Sequence, residues 1–447
     1  MTIQTSPIHV AIVGGGITGL VLAIGLRARG ISHTLYERAA GFSEYGAGIG
    51  FSPNAEVAMT LIDPQLHAVF KQAVTPNGLD YFQWIDGFTT DDQIFQLYLG
   101  KDGFQGGRRS EILGAWAALV EPANVQFGKE VVAVIDPKNG PVSLSFADGT
   151  TATADVVIGA DGVWSRMRTL LFGPEFRASY THKYCFRAVV PMDGPGGAVA
   201  ALGQARASSR YMYNGPGAHA ITYPVAKGAM LNVLVVIGDD KPWGDATRAS
   251  GSNDEQKVSA DTGVANRQTT GKGRRADAEA VFAGWQSTPR AVVGLLPEAP
   301  DRWSIFDMLE HPVPTYNRGR VALAGDAAHA AGPHLGSGAG FGIEDALALS
   351  TVLAEVNNPA MVDSALSAYS KVRYERTQWL VRATREAVDL FQWAGPGAQP
   401  GADPKHGQDP AVFGPEITWR FHTIWKYDLE RMQAEVRALY EAALGAR

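Results

Sequence analysis

The sequence predicts an α/β fold: a Rossmann-type domain on a parallel sheet, an inserted antiparallel-sheet domain, and a C-terminal helical region. Near the N-terminus the β-branched run His9 to Val13 meets Gly14-Gly15-Gly16 and then an apolar-periodic segment through Leu26, which reads as strand, tight turn and helix. From Tyr184 to Ile237 the texture changes to short alternating strands separated by Asn214-Gly215-Pro216-Gly217 and Ala226-Lys227-Gly228, the pattern of an antiparallel sheet with one buried face. From Asp363 to Trp393, and again from His422 to Ala446, apolar residues recur at helical spacing.

Gly14, Gly16 and Gly19 fit G-x-G-x-x-G. The first glycine of that motif permits the sharp turn, the second lets the backbone approach a pyrophosphate, and the third lets helix press on strand. The helix N-terminus then offers unpaired N–H groups and its positive dipole end to an anion. A second strand, His33 to Tyr36, ends in Glu37, a carboxylate about 18 residues past the last glycine and placed to bind a ribose diol. Together these imply the adenosine half of a dinucleotide, and they do not separate NAD from FAD.

The bulk properties exclude several classes. A chain of 447 residues can bury a large core and suggests two or three domains. A net charge of −6 argues against a nucleic-acid partner, and no apolar run approaches the length of a transmembrane segment. One cysteine, Cys185, precludes an internal disulfide framework and fits a reducing, cytoplasmic setting.

Beyond Glu37 lie Arg38 and the glycine-rich loop Gly41 to Ala55, read either as a cover over a ring system or as a connector. Aromatics and alternation over 78–100 suggest an excursion into the second sheet. Arg109 opens an amphipathic helix with Ile112, Leu113, Trp116 and Leu119 inward. A cation at a helix start is unfavourable unless an anion is near, which makes Arg109 a candidate phosphate or ribityl contact. Val125 to Phe127, Glu130 to Asp136 and Val142 to Phe146 read as a meander closed by a type I′ turn at Asp148-Gly149. The strand Asp155 to Ile158 runs into Gly159-Ala160-Asp161-Gly162, where Asp161 is placed to bond backbone or ribose. Period two puts Cys185, Arg187 and Val189 on one face, so Arg187 is expected to have an anionic partner, read either as lining a small-molecule pocket with Tyr223 or as a structural ion pair. Gly238 to Arg275 is polar and glycine-rich, the composition of a long surface insertion. The strand Val321 to Ala324 ends in Gly325-Asp326, and glycines 336, 338, 340 and 342 alternate ahead of a helix from Ile343 to Val356. His329 has no partner at metal-ligand spacing, so no metal site is expected.

Three separated elements now stand in a family's order: GGGITG at Gly14 to Gly19, GADG at Gly159 to Gly162, and AGDAAHAAGPHLGSGAG at Ala324 to Gly340. The set resembles the single-component FAD-dependent aromatic hydroxylases, and looks most like the salicylate-hydroxylase-like branch with its fungal phenol-dearomatising polyketide monooxygenases. The resemblance implies FAD and NAD(P)H as cofactors, O2 as co-substrate, and hydroxylation of a small phenolic or aromatic substrate through a flavin C4a-hydroperoxide, with or without dearomatisation. Carried over by position, Gly14, Gly16, Gly19, Glu37, Arg38, Gly50, Arg109, Val131, Asp161, Gly162, Asp326, Pro333, Gly336, Gly338 and Ala339 would contact FAD. Arg187, in Phe186-Arg187, and Tyr223, in Tyr223-Pro224-Val225, match the residues that hold the substrate phenolate. Some relatives use the same arginine to donate a proton.

On this reading the FAD-binding domain takes 1–77, 101–176 and 282–345, the substrate domain 78–100 and 177–281, and the helical region 346–447. No second strand–GxGxxG–helix unit is present, so NAD(P)H would bind transiently along the FAD surface. A monomer or homodimer is expected. Two alternatives stand beside this one: a monooxygenase or epoxidase acting on an alkene or indole, and a non-catalytic flavin-fold binding module.

Overall fold

The computed structural model describes residues 8–42, 48–100, 103–241, 270–394 and 408–445. Six strands form the first sheet, in the order Asn317–Arg318, Val321–Leu323, Val156–Gly159, His9–Val13, Ser32–Glu37 and Val125–Phe127. The last five run parallel. Val10 to Val13 are at most 5% exposed, as a central parallel strand covered on both faces must be. The glycine-turn helix Ile17–Ala28 packs with helix Gly338–Leu353 in the same hydrophobic core.

Val125–Phe127 therefore edges the parallel sheet and is not part of the meander, which is built from Val131–Ile135, Val142–Phe146 and Thr151–Ala154. Its turn is also not type I′, because Gly149 has φ +82° while Asp148 is not among the positive-φ residues. Asp148 keeps a negative φ, and its side chain accepts from the Thr150 N–H at 3.0 Å and from Lys129 Nζ at 2.7 Å, holding the turn from outside.

The second sheet has eight strands, in the order Thr270–Lys272, Asp301–Asp307, Ser179–Pro191, Met230–Gly238, Ala218–Val225, Tyr211–Gly215, Tyr81–Asp86 and Gln93–Tyr98. Both of its faces are covered, contrary to the single buried face expected. Cys185, Ile221, Tyr223 and Val236 pack with side chains of helices Val362–Phe391 and Pro410–Trp425. Phe186, Ala220, Val233 and Ile237 pack with those of Ala198–Leu202, Arg275–Val281 and Ser287–Gly294. The near-continuous apolar run MLNVLVVIG is the mark of a strand buried on both sides, and it overrides the weak alternation around it.

Asp301–Asp307 pairs with Ser179–Pro191, so this sheet draws on chain beyond the boundary expected at residue 281. Of the polar stretch 238–275, Thr270–Lys272 forms an edge strand, and 242–269 lie outside the described residues. The late glycine helix starts at Gly338, five residues before the expected Ile343. The C-terminal helix expected from His422 is two helices, Pro410–Trp425 and Leu429–Gly445, and Asp428 accepts from the Arg431 N–H at 2.8 Å to open the second. Among the described residues no helix is long and apolar enough to cross a membrane.

Candidate functional site

Strands His9–Val13, Val156–Gly159 and Val321–Leu323 are neighbours and parallel, so their C-terminal ends open into one crevice. In open parallel sheets that is where ligands bind. The three predicted turns follow those ends, and backbone hydrogen bonds tie them to the sheet: Gly14 N–H to Tyr36 O at 2.8 Å, Ala160 N–H to Val13 O at 2.8 Å, and Ala324 N–H to Gly159 O at 2.9 Å. Gly14 has φ +112°, and a Cβ there would collide with the Ala160 carbonyl. Around Gly16, which caps helix Ile17–Ala28, a Cβ would meet open space, so the backbone can be approached closely. Gly19 sits inside the helix, where it has room for no side chain against the Gly14 carbonyl.

A cavity of about 350 Å³ lies over this cradle, with Gly14, Gly16, Glu37, Arg38, Val131, Asp161 and Gly162 in its wall. Glu37 accepts from the Gly15 N–H at 2.7 Å and the Ala39 N–H at 2.8 Å, which fixes its carboxylate at the rim with lone pairs to spare for a diol. Asp161 accepts from Ser165 Oγ at 2.5 Å and from the Arg166 and Met167 N–H groups at 2.7 and 3.0 Å, so its carboxylate holds the start of helix Arg166–Phe172. Lys129, absent from the sequence-based set, also lines the wall. Such an anion-ready crevice with a diol acceptor fits the adenosine and pyrophosphate of FAD. Glu37→Ala removes that acceptor and strands two N–H groups; FAD affinity by fluorescence titration is expected to fall about 10- to 100-fold, equivalent to roughly 1.4–2.8 kcal/mol. Unchanged affinity would contradict the assignment.

Asp326 opens the short helix Asp326–His329, and its carboxylate is exposed beside Gly338. Pro333 and Gly336 are exposed and Gly338 and Ala339 half-buried, while His334 and Leu335 between them are buried. Gly336 is left-handed at φ +63°. A buried ionic network holds this edge. Asp345 accepts from the Gly325 N–H at 2.8 Å, His329 Nε2 lies 2.6 Å away, and Arg373 Nε donates to its second oxygen at 2.8 Å. Glu344 takes Arg373, Arg376 and Asn54 at 2.7 Å each. Burial alone would raise the Asp345 pKa, and the adjoining His329 and Arg373 instead bring it down to about 2. His329 thus does have a carboxylate partner, in a structural pair that spacing along the chain did not reveal.

A third group of residues, where strand Gly48–Phe51 meets the eight-stranded sheet, lies outside the lining of that cavity. Strand Gly48–Phe51 pairs with Gln105–Arg108, Gly50 facing Gly106, and Arg109 begins the next helix. Arg187 Nη2 donates to Gly48 O at 3.2 Å and its guanidinium lies 5.5 Å from the Trp303 ring centroid. The anionic partner expected for Arg187 is replaced by this carbonyl; no carboxylate pairs with it among the described residues. Asn232 accepts from the Gly48 N–H at 3.0 Å; a lone amide inside an apolar strand was the overlooked signal. Tyr223 is 7% exposed and lies edge-on to Phe104, ring centroids 5.4 Å apart. Burial raises its pKa, Arg187 and Arg210 acting against that, so its hydroxyl is a proton donor at neutral pH.

The model of the FAD binding domain family matches residues 7–79 and 108–384. FAD-dependent monooxygenase orf3 of Aspergillus niger is 41% identical, with 98% of each chain covered. FAD-dependent monooxygenase pigN of Monascus ruber is 42% identical over 97% of this chain and 96% of its own. A solved salicylate hydroxylase substrate complex superposes with a TM-score of 0.79 at 27% identity, covering 96% of this chain and 98% of that one.

Proposed function

Because the chain belongs to the FAD binding domain family and is a FAD-dependent monooxygenase of the salicylate-hydroxylase type, we propose that it uses NAD(P)H and O2 to hydroxylate a phenolic ring, with dearomatisation as one outcome. The observation that carries this reading is Arg187: a half-buried guanidinium without a carboxylate, on the strand next to Met230–Gly238 and within the reach of the buried phenol of Tyr223.

When bound, FAD supplies electron transfer from NAD(P)H and the activation of oxygen. The chain's part is to bind, orient and exclude water. The N-terminal end of helix Ile17–Ala28 at Gly16 would hold the pyrophosphate and Glu37 a ribose, while Asp326 would hold the ribityl chain and Pro333 to Gly338 would flank the ring. Arg187 and the Tyr223 hydroxyl would both donate to one substrate oxygen and favour its phenolate form, which pushes electron density onto the ring carbon to be attacked. A charge-assisted contact of this kind contributes about 1.5–3 kcal/mol.

NAD(P)H consumption by the FAD-loaded enzyme with panels of phenols, indoles and alkenes tests the substrate class. Stimulation by phenols supports it; stimulation by indoles or alkenes alone contradicts it. Arg187→Gln is expected to raise KM for a stimulating phenol about 10-fold or more, and to shift the pH dependence of binding upward because the phenolate must then form unaided. An unchanged KM would remove Arg187 from the substrate site.

A further inference from the structure

Four arginines among the described residues are at most 5% exposed: Arg168, Arg210, Arg373 and Arg420. A buried guanidinium is costly unless its N–H groups are matched. Arg373 meets Glu344 and Asp345, Arg420 meets Glu386 and Glu416, and Arg168 donates to the carbonyls of Val163, Phe176 and Ala327. The Arg210 side chain has no such acceptor among the described residues, and its Nε is buried with none.

What Arg210 does touch is aromatic. Its guanidinium carbon lies 4.0 Å from the Phe82 ring centroid and 3.8 Å from that of Phe104. Ring faces stabilise a cation but accept none of its in-plane hydrogen bonds. Phe104 is also the ring that meets Tyr223, and Arg210 Nη2 lies 3.6 Å from where a Cβ on Gly336 would stand. The unmatched donors therefore sit between the substrate tyrosine and the glycine loop. Burial lowers the Arg210 pKa to about 9, with Tyr223 opposing, so the group is still a cation at neutral pH.

We propose that Arg210 is a substrate-binding residue that takes a second anionic oxygen, such as a carboxylate or second phenolate on the ring, and so selects aromatic substrates bearing two acidic oxygen groups. This rests on the reading of Arg187 and Tyr223 as the clamp for the first oxygen. The site is held ready by Phe82 and Phe104, which keep the guanidinium in place before any ligand arrives.

Salicylate and its neutral counterpart salicylamide, titrated into FAD-loaded protein while flavin absorbance is followed, test it. The wild type is expected to favour salicylate by roughly 10- to 100-fold, and Arg210→Gln to reduce that preference to within about threefold with FAD content unchanged. A preference that survives in Arg210→Gln overturns the inference while leaving the phenol-hydroxylase reading intact. Failure of phenol, salicylate and salicylamide alike to perturb the wild-type flavin overturns both. Arg210→Met supplies a readout without ligand: removing an unmatched buried cation should hold or raise the melting temperature, and a fall of several degrees would make Arg210 a structural residue instead.

Discussion

Asp345→Ala is expected to destabilise the protein by about 3–5 kcal/mol and to speed the release of FAD. The residue is fully buried and serves three donors at once, the Gly325 N–H, His329 and Arg373. Without it the Arg373 guanidinium is left in the core with Glu344 as its remaining carboxylate, and the turn that presents Asp326 loses its anchor. Breaking a buried pair on one side costs far more than a surface pair is worth, because the desolvated partner stays behind. Thermal unfolding of the FAD-loaded protein, paired with FAD dissociation followed by fluorescence, checks both consequences. The acid limb gives a second signature. A carboxyl held at about 2 contributes stability that is fully present above its unfolded value near 3.9, and that is lost as pH falls toward about 2. The gap in stability between wild type and Asp345→Asn should therefore narrow across that window. A variant with wild-type melting temperature and FAD retention would show that the network does not hold the crevice edge.

Gly14→Val is expected to yield protein without bound FAD. The residue has φ +112°, a region that costs an L side chain on the order of 1–3 kcal/mol, and its Cβ would run into the Ala160 backbone carbonyl. Both neighbours are fixed, since Ala160 N–H is bonded to Val13 O and Gly14 N–H to Tyr36 O. Relief of the clash requires the first strand and Val156–Gly159 to part where the pyrophosphate amides must converge. The purified variant should be colourless and fail to take up added FAD, with far-ultraviolet circular dichroism close to that of the wild type because the eight-stranded sheet lies elsewhere. A yellow variant with normal FAD content would contradict the placement of the cofactor on this turn.

The parts of the fold that could be read from the sequence are those whose signal is local. Residues 14–19, 159–162 and 325–326 each follow a strand, so their position at one sheet edge follows from the parallel topology that short strand–turn–helix units impose. Val125–Phe127 joins the parallel sheet although it reads as part of the meander, because three residues carry no periodicity of their own. The double burial of the eight-stranded sheet was hidden by helices that arrive from distant parts of the chain. The site was hardest to foresee where it depends on such convergence. Arg210 becomes notable only when Phe82 and Phe104 close on it, and Asp345 only when His329 and Arg373 do. An isolated Arg or Asp in sequence announces neither.

The most direct test of the account supplies oxygen-18 gas to FAD-loaded enzyme, NAD(P)H and a phenol that stimulates turnover, and weighs the organic product. One heavy oxygen atom per product molecule, formed in step with NAD(P)H consumed, is the expected result. A product whose new oxygen comes from water, or NAD(P)H oxidation that yields only hydrogen peroxide with every phenol tried, would contradict it.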